Sequence, residues 1–188
     1  MTVELYLRES ARALERTADA LADDRVEQAI VAMTTALSVD KAMLVCGNGG
    51  SASDAMHITT ELVGRFLLER RALKCICLSS NAPVLTAWTN DYEFDTVFAR
   101  QVEAYGETGG VLLGISTSGN SANVVLAMRR ARELGLTTIG LTGDGGGDLA
   151  AVSDVLIDVP SRSTPEIQQA HLCIYHYMCV EIEKRCTA

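Results

Sequence analysis

Apolar residues recur at helical spacing through residues 3–37: Leu5, Ala11, Leu14, Ala18, Leu21, Val26, Ile30 and Met33. A period near 3.6 predicts helices with one apolar face. The pair Asp23-Asp24 divides the stretch into two such helices. No strand pattern occurs here, so the helices must pack against something else. An arm that builds an oligomer is one use for them.

Beyond residue 38 the pattern changes to short apolar runs at 42–46, 74–78, 111–115, 137–141 and 155–159. Helical stretches separate them: one from the Gly47–Ser51 loop to about residue 68, two around 83–88 and 95–105, one ending at 134, and a last one over 164–184. Strands alternating with helices of this length imply parallel βαβ units. The expected fold is α/β: a three-layer α/β/α sandwich around a five-stranded parallel sheet, with an N-terminal helical arm. Neither a linker nor a long repeat divides the 188 residues. One domain is expected over 1–188, with helices in 1–38 and the α/β core in 39–188.

Composition narrows the function classes. A hydrophobic fraction of 48% and a charged fraction of 21% allow a sizeable core. The net charge of −8, with Lys and Arg scattered, disfavours nucleic acid and anionic membrane as partners. A phosphate could still bind through neutral donors. The first ten residues include Glu4, Arg8 and Glu9 and no apolar run, unlike a secretory signal. No stretch approaches the ~18 apolar residues of a membrane span. The six cysteines form no CxxC pair, and buried reduced thiols in a cytoplasmic protein are expected.

Two loops point at a ligand. Gly47-Asn48-Gly49-Gly50-Ser51 joins a strand to a helix, where glycines admit close backbone approach and Asn48 and Ser51 supply polar contacts. With Ala52 the run also satisfies a dinucleotide-binding pattern, but the second strand ends in Leu78-Ser79-Ser80-Asn81, without the acid that pattern requires. No nucleotide cofactor is expected. The second loop, Ser116-Thr117-Ser118-Gly119-Asn120-Ser121, puts four hydroxyls before a helix. Hydroxyls and free N–H groups at a helix start suit a phosphate monoester dianion. An N-cap at Asn120 or Ser121 is the plainer reading, and it explains one residue of the six.

His57 and Glu61 lie four apart on the helix after the first loop and share a face. By themselves they could be a hydrogen-bonded surface couple; their position beside the ligand loop favours a role in the crevice. Arg65 continues the stripe and could pair with Glu61 or reach a phosphate. The last helix carries Gln168, His171 and His176. Gln168 and His176 are separated by a rise of about 12 Å, so they converge on one small group only by long reaches, or serve neighbouring sites in an oligomer. His171, flanked by apolar residues, reads as a core histidine. A carboxylate with a histidine beside a sugar phosphate can move a proton between adjacent carbons: Glu61 takes it, giving an enediol, and His176 shuttles protons at the oxygens.

The segments Cys46-Gly-Asn-Gly-Gly-Ser51, Asp54-Ala-Met-His57, Glu61-Leu-Val-Gly-Arg65, Asn90-Asp91, Leu113-Gly-Ile-Ser-Thr-Ser-Gly-Asn-Ser-Ala-Asn123, Leu141-Thr-Gly143 and Ile167-Gln168 resemble the phosphoheptose isomerases, which have the flavodoxin-like SIS fold. The resemblance covers essentially the whole chain. It implies conversion of D-sedoheptulose 7-phosphate to D-glycero-D-manno-heptose 7-phosphate, and a homotetramer with active sites at subunit interfaces. It implies phosphate contacts from Ser116, Thr117, Ser118 and Ser121. Sugar contacts fall to Asn48, Gly49, Gly50, Ser51, Arg65, Asn90, Asp91 and Gln168, and proton transfers to Glu61 and His176. Some members hold zinc through residues matching His57, Glu61, Gln168 and His176, which implies one zinc per subunit here. The segment 160–165 and the glycine-rich 143–147 loop depart from the commonest form. Two rivals stand beside this reading. One is a regulatory SIS protein that binds a replication-initiator partner, whose relatives tend to lack the carboxylate and the final-helix histidine. The other is an isomerase of the same fold for another sugar phosphate.

Overall fold

The five apolar segments pair side by side as strands β1 (Met43–Gly47), β2 (Cys75–Cys77), β3 (Val111–Ser116), β4 (Thr137–Thr142) and β5 (Val155–Asp158). All pairings are parallel, in the order β2-β1-β3-β4-β5. This computed structural model describes residues 1–21 and 23–187. The helices are α1 (Val3–Ala20), α2 (Asp23–Ser38), α3 (Gly50–Val63), α4 (Ala82–Asp91), α5 (Val97–Tyr105), α6 (Ala122–Glu133), α7 (Gly147–Ala150) and α8 (Thr164–Thr187).

The strands alternate between two cores, because successive side chains point to opposite faces. Met43 and Val45 pack with α2, α3 and α8, whereas Leu44 and Cys46 pack with α5 and α6. The result is the expected three-layer sandwich. Four of the cysteines (Cys46, Cys75, Cys77 and Cys179) are buried and free. No helix among the described residues is long and apolar enough to cross a membrane.

Three boundaries differ from expectation. The helix predicted to reach residue 68 stops at Val63, because the buried Glu183 carboxylate takes the N–H groups of Phe66, Leu67 and Leu68 out of any helical ladder. The 95–105 stretch opens with a 3₁₀ turn, Phe94–Thr96, before α5. The glycine-rich loop ends in the single turn α7, which the periodicity does not show. The break between the first helices falls just before the aspartates, α1 ending at Ala20 and α2 starting at Asp23.

In α1 only Ala13 and Thr17 are buried, while Val3, Leu5, Tyr6 and Leu7 stay exposed. No residue of α4 is fully buried, although Leu85 and Trp88 pack against the core on the α5–α6 side. Strand order reverses between β1 and β3, where Gly47 pairs in register with Ile115. The loops after those two strands therefore leave the sheet side by side, which is where ligands bind in open parallel sheets.

Candidate active site

The hydroxyl loop after β3 is drawn together by its own side chains. Ser116 Oγ lies 2.9 Å from Ser121 Oγ and 3.4 Å from Ser118 Oγ, and Asn120 N–H donates to Ser118 Oγ at 3.1 Å. Ser121 is the N-cap of α6, yet its side chain makes no capping bond. Its hydroxyl is spent on the cluster, which the plain capping reading does not require. Ser116 is buried, Thr117 half-buried and Ser118 exposed, so the cluster opens outward. The glycine-rich loop braces it from behind. Gly145, Gly146 and Gly147 all have positive φ, and Gly146 and Gly147 sit where any Cβ would strike Leu156 and Asn120. Asp148 N–H then donates to Asn120 Oδ1 at 2.9 Å, and Leu149 N–H to Gly119 O at 2.9 Å.

The loop after β1 is tied to the same place. Asn48 and Asn123 exchange two amide bonds, Asn48 Nδ2 to Asn123 Oδ1 at 2.8 Å and Asn123 Nδ2 to Asn48 Oδ1 at 3.0 Å. Asn123 is buried in the first turn of α6, so this pair bridges the two ligand loops. Ser51 is buried. Gly50 has its Cα against the Gln168 side-chain amide, which leaves no room for a Cβ.

On α3 and α8 the proposed proton-transfer groups meet. His57 Nε2 is 3.0 Å from Glu61 Oε1 and 3.5 Å from His176 Nε2. The other ring nitrogen, His57 Nδ1, lies 3.0 Å from the Tyr175 hydroxyl, which also donates to Asp54 Oδ1 at 3.4 Å. Phe66 covers His176 with ring centroids 5.3 Å apart and planes tilted by 31°. Burial lowers the His176 pKa; adjacent His57 lowers it further and Glu61 opposes the shift. Burial raises the Asp54 carboxyl, against the Tyr175 hydroxyl and His57, and Asp54 Oδ2 is buried without a hydrogen-bond partner.

This donor set suits a small divalent ion in its chemistry. The gaps of 3.0 and 3.5 Å bracket the roughly 3.3 Å edge of a tetrahedron with zinc–nitrogen and zinc–oxygen bonds of about 2.0–2.1 Å. Tyr175 at His57 Nδ1 is the kind of outer partner that fixes a ligating imidazole. Among the described residues, however, no group of three or more His, Cys, Asp or Glu side chains is placed so that it could hold a metal ion. Gln168, at Gly50, makes no hydrogen bond to His57, Glu61 or His176.

Other expected residues lie outside this cluster within one chain. Arg65 pairs with Glu69 at 3.0 Å on the surface. Asn90 donates to Asp91 at 2.8 Å, both exposed at the end of α4. His171 is fully buried with Nε2 on Thr142 O at 3.0 Å, and burial pushes its pKa down to about 4. It is a neutral core histidine. A cavity of about 460 Å³ between α1, α2 and α8 is lined by none of the site residues.

Sequence reasoning missed Tyr175, Asp54, Phe66 and the Asn123 side of the amide pair. Asp54 sits three before His57 on one helix face and Tyr175 directly precedes His176, two local signals that were available. Phe66 and Asn123 acquire their roles only through long-range packing.

Residues 5–143 match the SIS domain family. A phosphoheptose isomerase of Crocosphaera subtropica is 55% identical over 141 residues, 75% of this chain and 72% of that protein. That of Clostridium acetobutylicum is 43% identical, covering 97% of this chain and 93% of its own length. The solved phosphoheptose isomerase GmhA from Neisseria gonorrhoeae superposes with a TM-score of 0.91 at 42% identity, covering 97% of both chains. The fold and the two bridged loops thus define a sugar-isomerase domain. The chain belongs to the SIS-domain family, within its phosphoheptose isomerase branch.

Proposed function

We propose that the chain is an aldose–ketose isomerase that converts D-sedoheptulose 7-phosphate to D-glycero-D-manno-heptose 7-phosphate, the first step of bacterial heptose biosynthesis. The observation that carries this is the meeting of Glu61 with His57 and His176 on helices that flank the ligand loops. Glu61 and His176 also separate the chain from the non-catalytic reading.

Ser116, Thr117, Ser118 and Ser121, with the N–H groups at the start of α6, hold the phosphate dianion without a cation of their own. Asn48, Gly49, Gly50, Ser51, Arg65, Asn90, Asp91 and Gln168 contact the sugar. Glu61 removes a proton from C1 of the ketose, the carbon next to the C2 carbonyl. Those electrons form the C1–C2 double bond of an enediol as the carbonyl oxygen takes a proton. His176 gives the proton taken by the C2 oxygen and recovers one from the C1 hydroxyl, while Glu61, its proton free to exchange with solvent in the enediol state, protonates C2 and leaves the C1 aldehyde. Atoms and charge balance without any redox partner.

One zinc per subunit, held by His57, Glu61, Gln168 and His176, belongs to this proposal; bound there, it would polarise the sugar carbonyl. The homotetramer belongs to it as well. Its support is the exposed apolar half of α1 and the lightly packed α4, whose exposed end carries Asn90 and Asp91. Free, mostly buried thiols fit a cytoplasmic setting.

The test is incubation with sedoheptulose 7-phosphate, following the aldose product with and without chelator. Product formation that chelator abolishes and zinc restores is the expected result. Conversion of a hexose or pentose phosphate while the heptulose stays untouched would overturn the substrate assignment.

A further inference from the structure

Helix α3 ends two residues after Glu61, and the chain that follows is fastened by one buried ion pair. Glu183 and Arg70 have side chains 0% and 1% exposed, with Arg70 Nε 3.3 Å from Glu183 Oε1. Glu183 also accepts from Phe66 N–H at 2.7 Å, Leu67 N–H at 2.7 Å and Leu68 N–H at 3.0 Å. Arg70 Nε makes no hydrogen bond beyond this charge contact, and the terminal nitrogens turn the other way: Nη2 to Glu61 O at 2.6 Å, and Nη1 to Gly64 O at 3.1 Å and Arg71 O at 2.9 Å.

Each end of this clamp touches a support of one proton-transfer group. Arg70 holds the main-chain carbonyl of Glu61 itself. Glu183 stands seven residues beyond His176, two turns along the same face of α8, and its Oε1 fixes the backbone of Phe66, whose ring covers His176. We infer that Arg70 and Glu183 are positioning residues for the isomerisation, setting the place of Glu61 on α3 against that of His176 on α8. A buried ion pair by itself is weak ground for a stabilising role, since apolar replacements of such pairs often leave proteins equally stable. Its distinctive feature here is where its hydrogen bonds end. The inference rests on the roles given above to Glu61 and His176.

The experiment compares Arg70→Lys, Glu183→Gln and the double variant Arg70→Met/Glu183→Gln with wild type and Glu61→Gln, measuring kcat and KM for sedoheptulose 7-phosphate together with thermal midpoint. Displacing a catalytic group by about an ångström typically costs ~100-fold, so kcat should fall by roughly 10- to 100-fold with KM within about twofold. The double variant leaves no lone buried charge. It should regain thermal midpoint relative to Glu183→Gln and stay slow. Recovery of kcat along with stability would reduce the clamp to a structural role and overturn the inference. If the double variant does not fold, Arg70→Lys decides: a lysine cannot serve Glu183 and the Glu61 carbonyl together, and wild-type kcat in that variant would overturn it equally. Full activity in Glu61→Gln would instead mark failure of the underlying site assignment.

Discussion

The Nε2 atoms of His57 and His176 face each other across 3.5 Å, although the residues stand 119 positions apart on α3 and α8. At that separation the two nitrogens can share one long hydrogen bond, the tautomers deciding which donates. With Glu61 Oε1 at 3.0 Å from the same His57 atom they make a compact set of nitrogen and oxygen groups, the equipment for handling protons beside a bound sugar.

Tyr175 holds that set in place. Tyr175→Phe removes the hydroxyl at 3.0 Å from His57 Nδ1 without changing ring volume. Loss of an outer partner of this kind typically costs 10–100-fold in activity or metal affinity, and about tenfold or more is expected in kcat. Stability should drop by only about 1 kcal/mol, the net worth of one hydrogen bond. Steady-state assays with urea unfolding check both.

The serine cluster is expected to act on binding. Ser116→Ala/Ser121→Ala removes both hydroxyls of the 2.9 Å pair. Hydrogen bonds to a charged group are worth about 1.5–3 kcal/mol each, so KM should rise at least tenfold, with weaker inhibition by inorganic phosphate. An unchanged KM would place the phosphate elsewhere.

His171 predicts an acid-side loss of stability. Its imidazole, buried against Thr142 O, takes a proton only near pH 4, whereas in the unfolded chain it does so near 6.5. Above 6.5 both states are neutral and the contribution is complete. On acidification from 6.5 towards 4 the unfolded state binds the extra proton, so stability falls by up to about 1.4 kcal/mol per pH unit. Urea midpoints at pH 7 and pH 5 measure this, and His171→Leu should flatten the change across that interval.

Much of this was legible in the chain itself. The five apolar runs gave strands correct to within one or two residues at each end, because a parallel strand buried on both faces leaves a continuous apolar signal. The Gly47–Ser51 and Ser116–Ser121 loops were visible because turn chemistry and hydroxyl density are local. The early end of α3 was not, since Leu67 and Leu68 continue an apolar pattern and only Glu183, more than a hundred residues later, captures their amides. The Asn48–Asn123 bridge and the cover of Phe66 over His176 were hidden for the same reason. Asn90 and Asp91 remain apart from the cluster in a single chain because they sit exposed at the end of α4, a helix held by partly buried Leu85 and Trp88.

The central claim is proton transfer by Glu61, and isotope exchange reads it directly. Wild-type enzyme turning over sedoheptulose 7-phosphate in deuterium oxide should place solvent deuterium at C2 of the aldose, and Glu61→Gln should lose both turnover and incorporation by roughly 10²–10⁴-fold, the usual worth of a general base. Turnover or exchange at the wild-type rate in Glu61→Gln would contradict it.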